Sequence, residues 1–321
     1  MKKLCLLATI IAIVSNASYA ATIQRTILSH KGKLTPYDLA NWQGAINDAV
    51  AGDTVYFTPG VFSGGLGITK PITLIGAGIA ETGGFWYEKD INNAFAGCGT
   101  TGTGTKIEDG IVVEIPGDVT LTATLLEGLA FGDMRVAAPV TNLTLKRCQF
   151  DSFWSMDWGG GIPAVTNSTF ESCYIGGLSC AGMVNPDIHN CYIHGLRHAS
   201  EIDFLNCTVI EFYECSNNNF INCITSDLGA SSFVNCVLRG NEVPSSPEYT
   251  NCWAYNEAQC LTVNQLTSNG FLGVDNTVVG PRGGVAPFTL IPAQPYVTSG
   301  SATYIKSTKK LNVNVTVKQG K

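Results

Sequence analysis

The sequence predicts an all-β solenoid of short stacked strands, and two observations carry that expectation: a cysteine repeat through the middle of the chain and the strand-like alternation around it. Cys148, Cys173, Cys191, Cys207, Cys223, Cys236 and Cys252 follow one another at steps of 25, 18, 16, 16, 13 and 16 residues. Each lies in a frame resembling aromatic-x-Asn-Cys-x-apolar, as in Phe204-Leu205-Asn206-Cys207 and Phe233-Val234-Asn235-Cys236, and five of the seven are Asn-Cys. A unit this short cannot close a core alone and must stack on copies of itself. Helical repeats need more than about 30 residues, whereas these units carry β-branched and aromatic positions such as Phe204, Cys207 and Val209 in short runs. Asn is the commonest non-glycine residue in left-handed backbone, which places the five Asn at one corner between two strands. Stacking at about 4.8 Å per rung would align them as an amide ladder, with the following cysteines pointing inward as a ladder of small apolar side chains.

From the N-terminus, Lys2 and Lys3 precede an apolar run from Leu4 to Val14 and then Ser18-Tyr19-Ala20, the pattern of a signal peptide cleaved after Ala20. Residues 1–20 are therefore expected to be removed, 21–270 to form the solenoid and 271–321 a tail. No later stretch approaches the length of about 18 apolar residues that a spanning helix needs, so the expected location is secreted, periplasmic or cell-surface, with no membrane span. Leu39 to Ala49 reads as a short amphipathic helix with Leu39, Trp42, Ile46 and Ala49 on one face. It is followed by Gly52-Asp53-Thr54-Val55-Tyr56-Phe57, then Pro59-Gly60-Val61-Phe62, then Ile72-Thr73-Leu74-Ile75-Gly76. With the Asn-Cys repeat, this opening resembles the pectin-lyase-like superfamily. The resemblance implies a right-handed parallel β-helix with an N-terminal capping helix, in which a Gly-Asp turn launches the first strand. A cap is physically required, because the first rung would otherwise expose unpaired backbone groups. The superfold hosts lyases, hydrolases, epimerases, adhesins and inert spikes, so the likeness says little of activity. Past Cys252 the pattern decays. Pro281, Pro287, Pro292 and Pro295 exclude continuous sheet, and Leu311, Val313, Val315 and Val317 alternate as in a terminal hairpin or strand.

Composition narrows the function. Hydrophobic residues at 45% exclude a disordered chain, and 19 basic against 25 acidic residues with a pI near 5.2 leave no basic footprint for nucleic acid. An exported chain with 12 cysteines suggests disulfides, but the ladder spacing argues for buried free thiols: neighbouring cysteines on adjacent rungs project side by side, and the dihedral near 90° of a disulfide would strain the coils.

Three candidate chemistries emerge. Arg197, His198 and Glu201 lie close in sequence, beside His189, His194 and Asp203, and His with carboxylates can exchange protons near neutral pH. Leu196-Arg197-His198 also resembles the Arg-His segment of β-helix lyases acting on uronates, where the resemblance implies an Arg beside a Lys base. The lysine is missing at the corresponding position, Ile175-Gly176-Gly177, and between Lys106 and Lys306 only Lys146 remains. Trp154 and Trp158, with Asp157 between them, suit a sugar-stacking platform. No tight ligand motif such as His-Glu-x-x-His occurs, so neither a metal nor a cofactor is expected. These readings favour a noncatalytic exported module binding an extracellular polysaccharide or serving as a structural surface, with a polysaccharide-processing lyase or glycoside hydrolase as the alternative.

Overall fold

Strands of two to seven residues, one repeat apart, lie side by side in register and build long sheets across the chain. The computed structural model describes residues 24–79, 104–114, 120–155, 161–225, 231–239, 242–255, 263–284, 287–288, 296–305 and 310–318. Residues 1–20, expected to be a signal peptide, lie outside them. The chain is mostly β, with parallel sheets compatible with an all-β parallel solenoid. Among the described residues, no helix is long and apolar enough to cross a membrane.

Each full coil contributes one strand to a first sheet and one to a second. The first sheet has 12 strands. Its parallel part runs from Thr54–Phe57 and Thr73–Ile75 through Thr144–Lys146, Asp187–His189 and Asn219–Ile221 to Tyr249–Thr250. Every register aligns the middle residue of one strand with that of the next, giving the inward column Leu126, Leu145, Phe170, Ile188, Phe204, Phe220, Phe233. In its last coils this column is a ring stack: Phe204–Phe220 at 4.9 Å, Phe220–Phe233 at 5.1 Å and Phe233–Tyr249 at 5.2 Å between centroids, all within 11° of parallel. At the N-terminal edge the parallel order stops. Arg25–His30 pairs antiparallel with Thr54–Phe57 and with Lys33–Asp38 through a tight turn in which Lys31 and Gly32 both take positive φ. Beside it, a 3₁₀ turn over Leu39–Asn41 and a five-residue helix over Gly44–Asp48 place Trp42, Ala45, Ile46 and Ala49 against Phe57 and Phe62. The helix is shorter than the pattern suggests and Leu39 stays exposed, because its turn breaks before the buried face begins.

The corner after the first sheet is left-handed in every repeat: Arg147, Ser172, Asn190, Asn206, Asn222, Asn235 and Asn251 have φ between 51° and 55°. The next residue turns inward, so Cys148, Cys173, Cys191, Cys207, Cys223 and Cys236 are fully buried, while Cys252 on the last coil is half-buried. All nine cysteines among the described residues are free. Their sulfurs serve the backbone at a corner where the sheet ladder is interrupted. Cys223 Sγ lies 3.3 Å from the Phe204 carbonyl of the preceding coil and 3.2 Å from Ile221 O, and it accepts the Cys207 N–H at 3.3 Å. The same arrangement recurs at Cys191 and Cys236. Burial pushes the thiols of Cys148, Cys191 and Cys223 well above their ordinary range, so they act as neutral donors and acceptors.

A second left-handed corner, not read from the sequence, follows a four-stranded third sheet. Ala123, Asn142, Asn167 and Asn185 occupy it, at φ between 50° and 57°. Beyond the last coil, the helix Val263–Ser268 leads into an irregular strap whose described part ends at Phe288 and which lies on the outside of the second sheet. Tyr296–Ile305 and Lys310–Lys318 form an antiparallel hairpin.

Candidate ligand-binding face

The second sheet has long strands in its middle coils: Ala130–Val136, Gln149–Ser155, Tyr174–Ser179, Tyr192–Arg197 and Thr208–Tyr213. In each, two inward residues are three apart rather than two, as with Phe150 and Phe153 or Ile193 and Leu196, and the residue after the first of them has no register partner. This repeated bulge redirects the second half of each strand. Gly176 sits at the bulge because a Cβ there would meet the Asp151 carbonyl at 2.4 Å.

Beyond the bulge, two outward columns run across five coils. The first is Asp133, Ser152, Gly177, Gly195 and Glu211. The second joins Arg135 to Trp154 and, beginning one coil on, Ser179 to Arg197 and Tyr213; Trp154 and Ser179 each follow the last paired residues of their strands, Phe153 and Leu178. Within it, the Arg135 guanidinium lies 5.2 Å from the Trp154 ring centroid and the Arg197 guanidinium 4.6 Å from that of Tyr213. Each cation thus stacks on an aromatic one coil further along. The Tyr213 hydroxyl bonds Glu211, which raises its pKa. Ser152 donates to Asp133 at 2.5 Å. Burial, then the neighbouring Asp133 charge, pushes the Asp151 carboxyl up, with Lys106 pulling the other way. The face therefore alternates rings, cations and carboxylates over a floor smoothed by glycine.

Trp154 and Arg197, proposed from the sequence for two separate sites, fall in the same column. His198 follows Arg197 in a left-handed turn, and its Nδ1 lies 3.0 Å from Glu214 Oε2 on the next coil. Glu201 sits in its own left-handed turn, and among the described residues no hydrogen bond or ion pair joins it to Arg197 or His198. The histidines divide between faces: His189 projects from the first sheet, 3.7 Å from Asp187, whereas His194 lies at the bulge of the second. Lys146 projects from the first sheet and pairs with Glu171 at 2.7 Å, which leaves it on a different sheet from Arg197. Asp157 and Trp158 lie outside the described residues. Among the described residues, no group of three His, Cys, Asp or Glu is arranged to hold a metal.

Arg135, Tyr213 and the acidic column were not read from the sequence, yet a signal for them exists. Trp154, Ser179, Arg197 and Tyr213 each follow a ladder cysteine, Cys148, Cys173, Cys191 and Cys207, by the same six residues. Aligning the repeats on those cysteines and reading across at one offset would have assembled the column from Trp154 to Tyr213. No protein-family model, curated protein or solved structure matches the chain.

Proposed function

We propose that this protein is an exported right-handed parallel β-helix with a helical N-terminal cap, acting as a noncatalytic module that binds an extracellular polysaccharide along the outer face of its second sheet. The observation that carries the reading is the column Arg135, Trp154, Ser179, Arg197, Tyr213, in which two cation–aromatic pairs repeat three coils apart on one surface. Aromatic faces complement the apolar faces of sugar rings, and carboxylates with serine hydroxyls complement sugar hydroxyls. A polymer lying along the coil axis meets such a pair repeatedly, which suits a chain ligand better than a small molecule. The two arginines favour a glycan with acidic groups.

Titration against pectin, alginate and glycosaminoglycan tests the reading. At least one polymer is expected to bind. Trp154→Ala or Arg197→Ala should each weaken that binding about tenfold, roughly 1.4 kcal/mol. Absence of binding to every polymer, or undiminished affinity in the double variant, would overturn it. The enzyme alternative would use Asp151, an exposed carboxyl at the bulge of this face near Asp133, as its general acid. Appearance of unsaturated or reducing ends in the same incubations, lost in Asp151→Asn, would put it first.

A further inference from the structure

The strap that begins at Val263 crosses the coils rather than extending them. Its Phe271 packs on Trp253 and Tyr255 of the last coil, with ring centroids 5.5 Å and 6.1 Å away. Val274 N–H donates to Asn222 Oδ1 at 3.3 Å and Gly280 N–H to the Asn222 carbonyl at 2.7 Å. Further along, Asn190 Nδ2 donates to the carbonyls of Pro281 and Gly283 at 3.0 Å and 2.8 Å, across 91 and 93 residues of sequence. Phe288 then stands edge-on to Tyr192, 5.3 Å between centroids. One segment thus touches successive coils in reverse order, from Trp253 back to Tyr192. It seals Ile224 and Val237, which project outward from the second sheet and would otherwise face water.

A stack of short repeats has only nearest-neighbour contacts, so its end coils should open most readily. At the C-terminal end the second-sheet strands are only two or three residues long: Ile224–Thr225, Val237–Arg239 and Trp253–Tyr255. We infer that residues 263–288 are a clasp that joins the coils from Asp187 to Tyr255 into one opening unit, by cross-linking coils that do not touch one another. The inference stands apart from any ligand. The clasp also explains the fate of the expected amide ladder: Asn190 spends both amide hydrogens on the strap instead of on neighbouring Asn.

Hydrogen exchange of the full-length protein, followed by mass spectrometry, tests this. Gly280 has φ +84°, a backbone that valine strains, and a Cβ there would also meet Ile224 Cδ1 at 2.8 Å, so Gly280→Val disfavours the docked strap while substituting no coil residue. Phe288→Ala is the milder second arm, removing only the far anchor. In both, exchange in the strands Asp203–Leu205, Asn219–Ile221 and Ser232–Val234 should rise about tenfold or more. Exchange in Leu125–Glu127 and Thr144–Lys146 should not change. Unaltered exchange in the late coils, or an equal rise in both sets, would overturn the inference.

Discussion

The middle coils and the late coils solve the same stacking problem in different ways. Between Ala130 and Tyr213, second-sheet strands of six or seven residues make broad coil-to-coil contact; the start of their outer face packs on Phe288 at Tyr192, and the part beyond the bulge carries Arg135, Trp154, Arg197 and Tyr213. From Asn219 onward those strands shrink to two or three residues, and cohesion shifts to the stacked rings of Phe220, Phe233 and Tyr249 inside and to the strap outside. The corners differ too. Asn holds the left-handed position in every corner from Asn190 onward, whereas Arg147 and Ser172 hold it in the two coils before, Arg147 supported by an ion pair to Glu127 at 2.8 Å. Where strand pairing is generous, the surface is free to carry other chemistry. Where it is thin, both faces are committed to stability.

The sharpest way to break this contrast is to cut the ring stack. Phe220→Ala, which removes a ring lying between Phe204 and Phe233, should cost about 3–5 kcal/mol. Calorimetry should then show the late coils melting ahead of the middle ones; a single unsplit transition would mean that the two regions are not separable. The thiol ladder comes next. Cys223→Ala should cost about 1–3 kcal/mol, because the Cys207 N–H loses its acceptor in a dry site. Cys223→Ser should cost less than Cys223→Ala if the sulfur's hydrogen bonds matter, and more if the thiol is merely apolar filling, a distinction that paired denaturant titrations can make.

The opposite end of the molecule adds charge to its own ring cluster of Trp42, Phe57 and Phe62. Asp53 accepts the Val50 N–H at 2.9 Å and meets His30 Nδ1 at 2.8 Å, tying the N-terminal hairpin to the first coil. Burial works to raise its pKa, but the Val50 amide and His30 together hold the carboxyl below its ordinary value. A depressed carboxylate contributes stability above its unfolded value of about 3.9, and that contribution is lost as pH falls through the lower folded value. Acid unfolding below about pH 4 should therefore become less steep in Asp53→Asn, which at neutral pH should lose about 1–2 kcal/mol. Equal steepness in both proteins would show that the pair is idle. The smallest effect is expected at a middle-coil corner. Ser172 is left-handed at φ 54°, so Ser172→Asn should gain about 0.5–1 kcal/mol, seen as a small rise in Tm. A loss there would mean that Asn suits only the late corners.

The repeat was legible because a left-handed corner admits few residues and the position after it faces inward, which writes Asn-Cys into the chain. The second corner was less visible, since Ala123, Asn142, Asn167 and Asn185 precede residues of no common type. The strap was hidden for another reason. Its glycines and prolines look like a loop, and the partners of Pro281 and Gly283 lie more than 90 residues away, beyond the reach of any local pattern. The face was half legible: Trp154 and Arg197 stood out individually, but their neighbourhood depends on register between coils, and Arg135 precedes the first ladder cysteine.

The fixed and variable parts of each coil divide cleanly. From the first-sheet strand through the corner to the inward cysteine, the chain keeps one length, as in Asp203 to Cys207, Asn219 to Cys223 and Ser232 to Cys236. The steps between successive cysteines nevertheless range from 13 to 25, so the variation falls in the length of the second-sheet strand and in the segment after it. Residues added or removed on that side, outside the short third-sheet strands, leave the registers of the first and second sheets untouched, because both columns are set before the chain reaches it. The molecule is in this sense a text with one editable margin: peptides could be grafted, lengthened or exchanged there, coil by coil, as in a display library written on an unchanging spine.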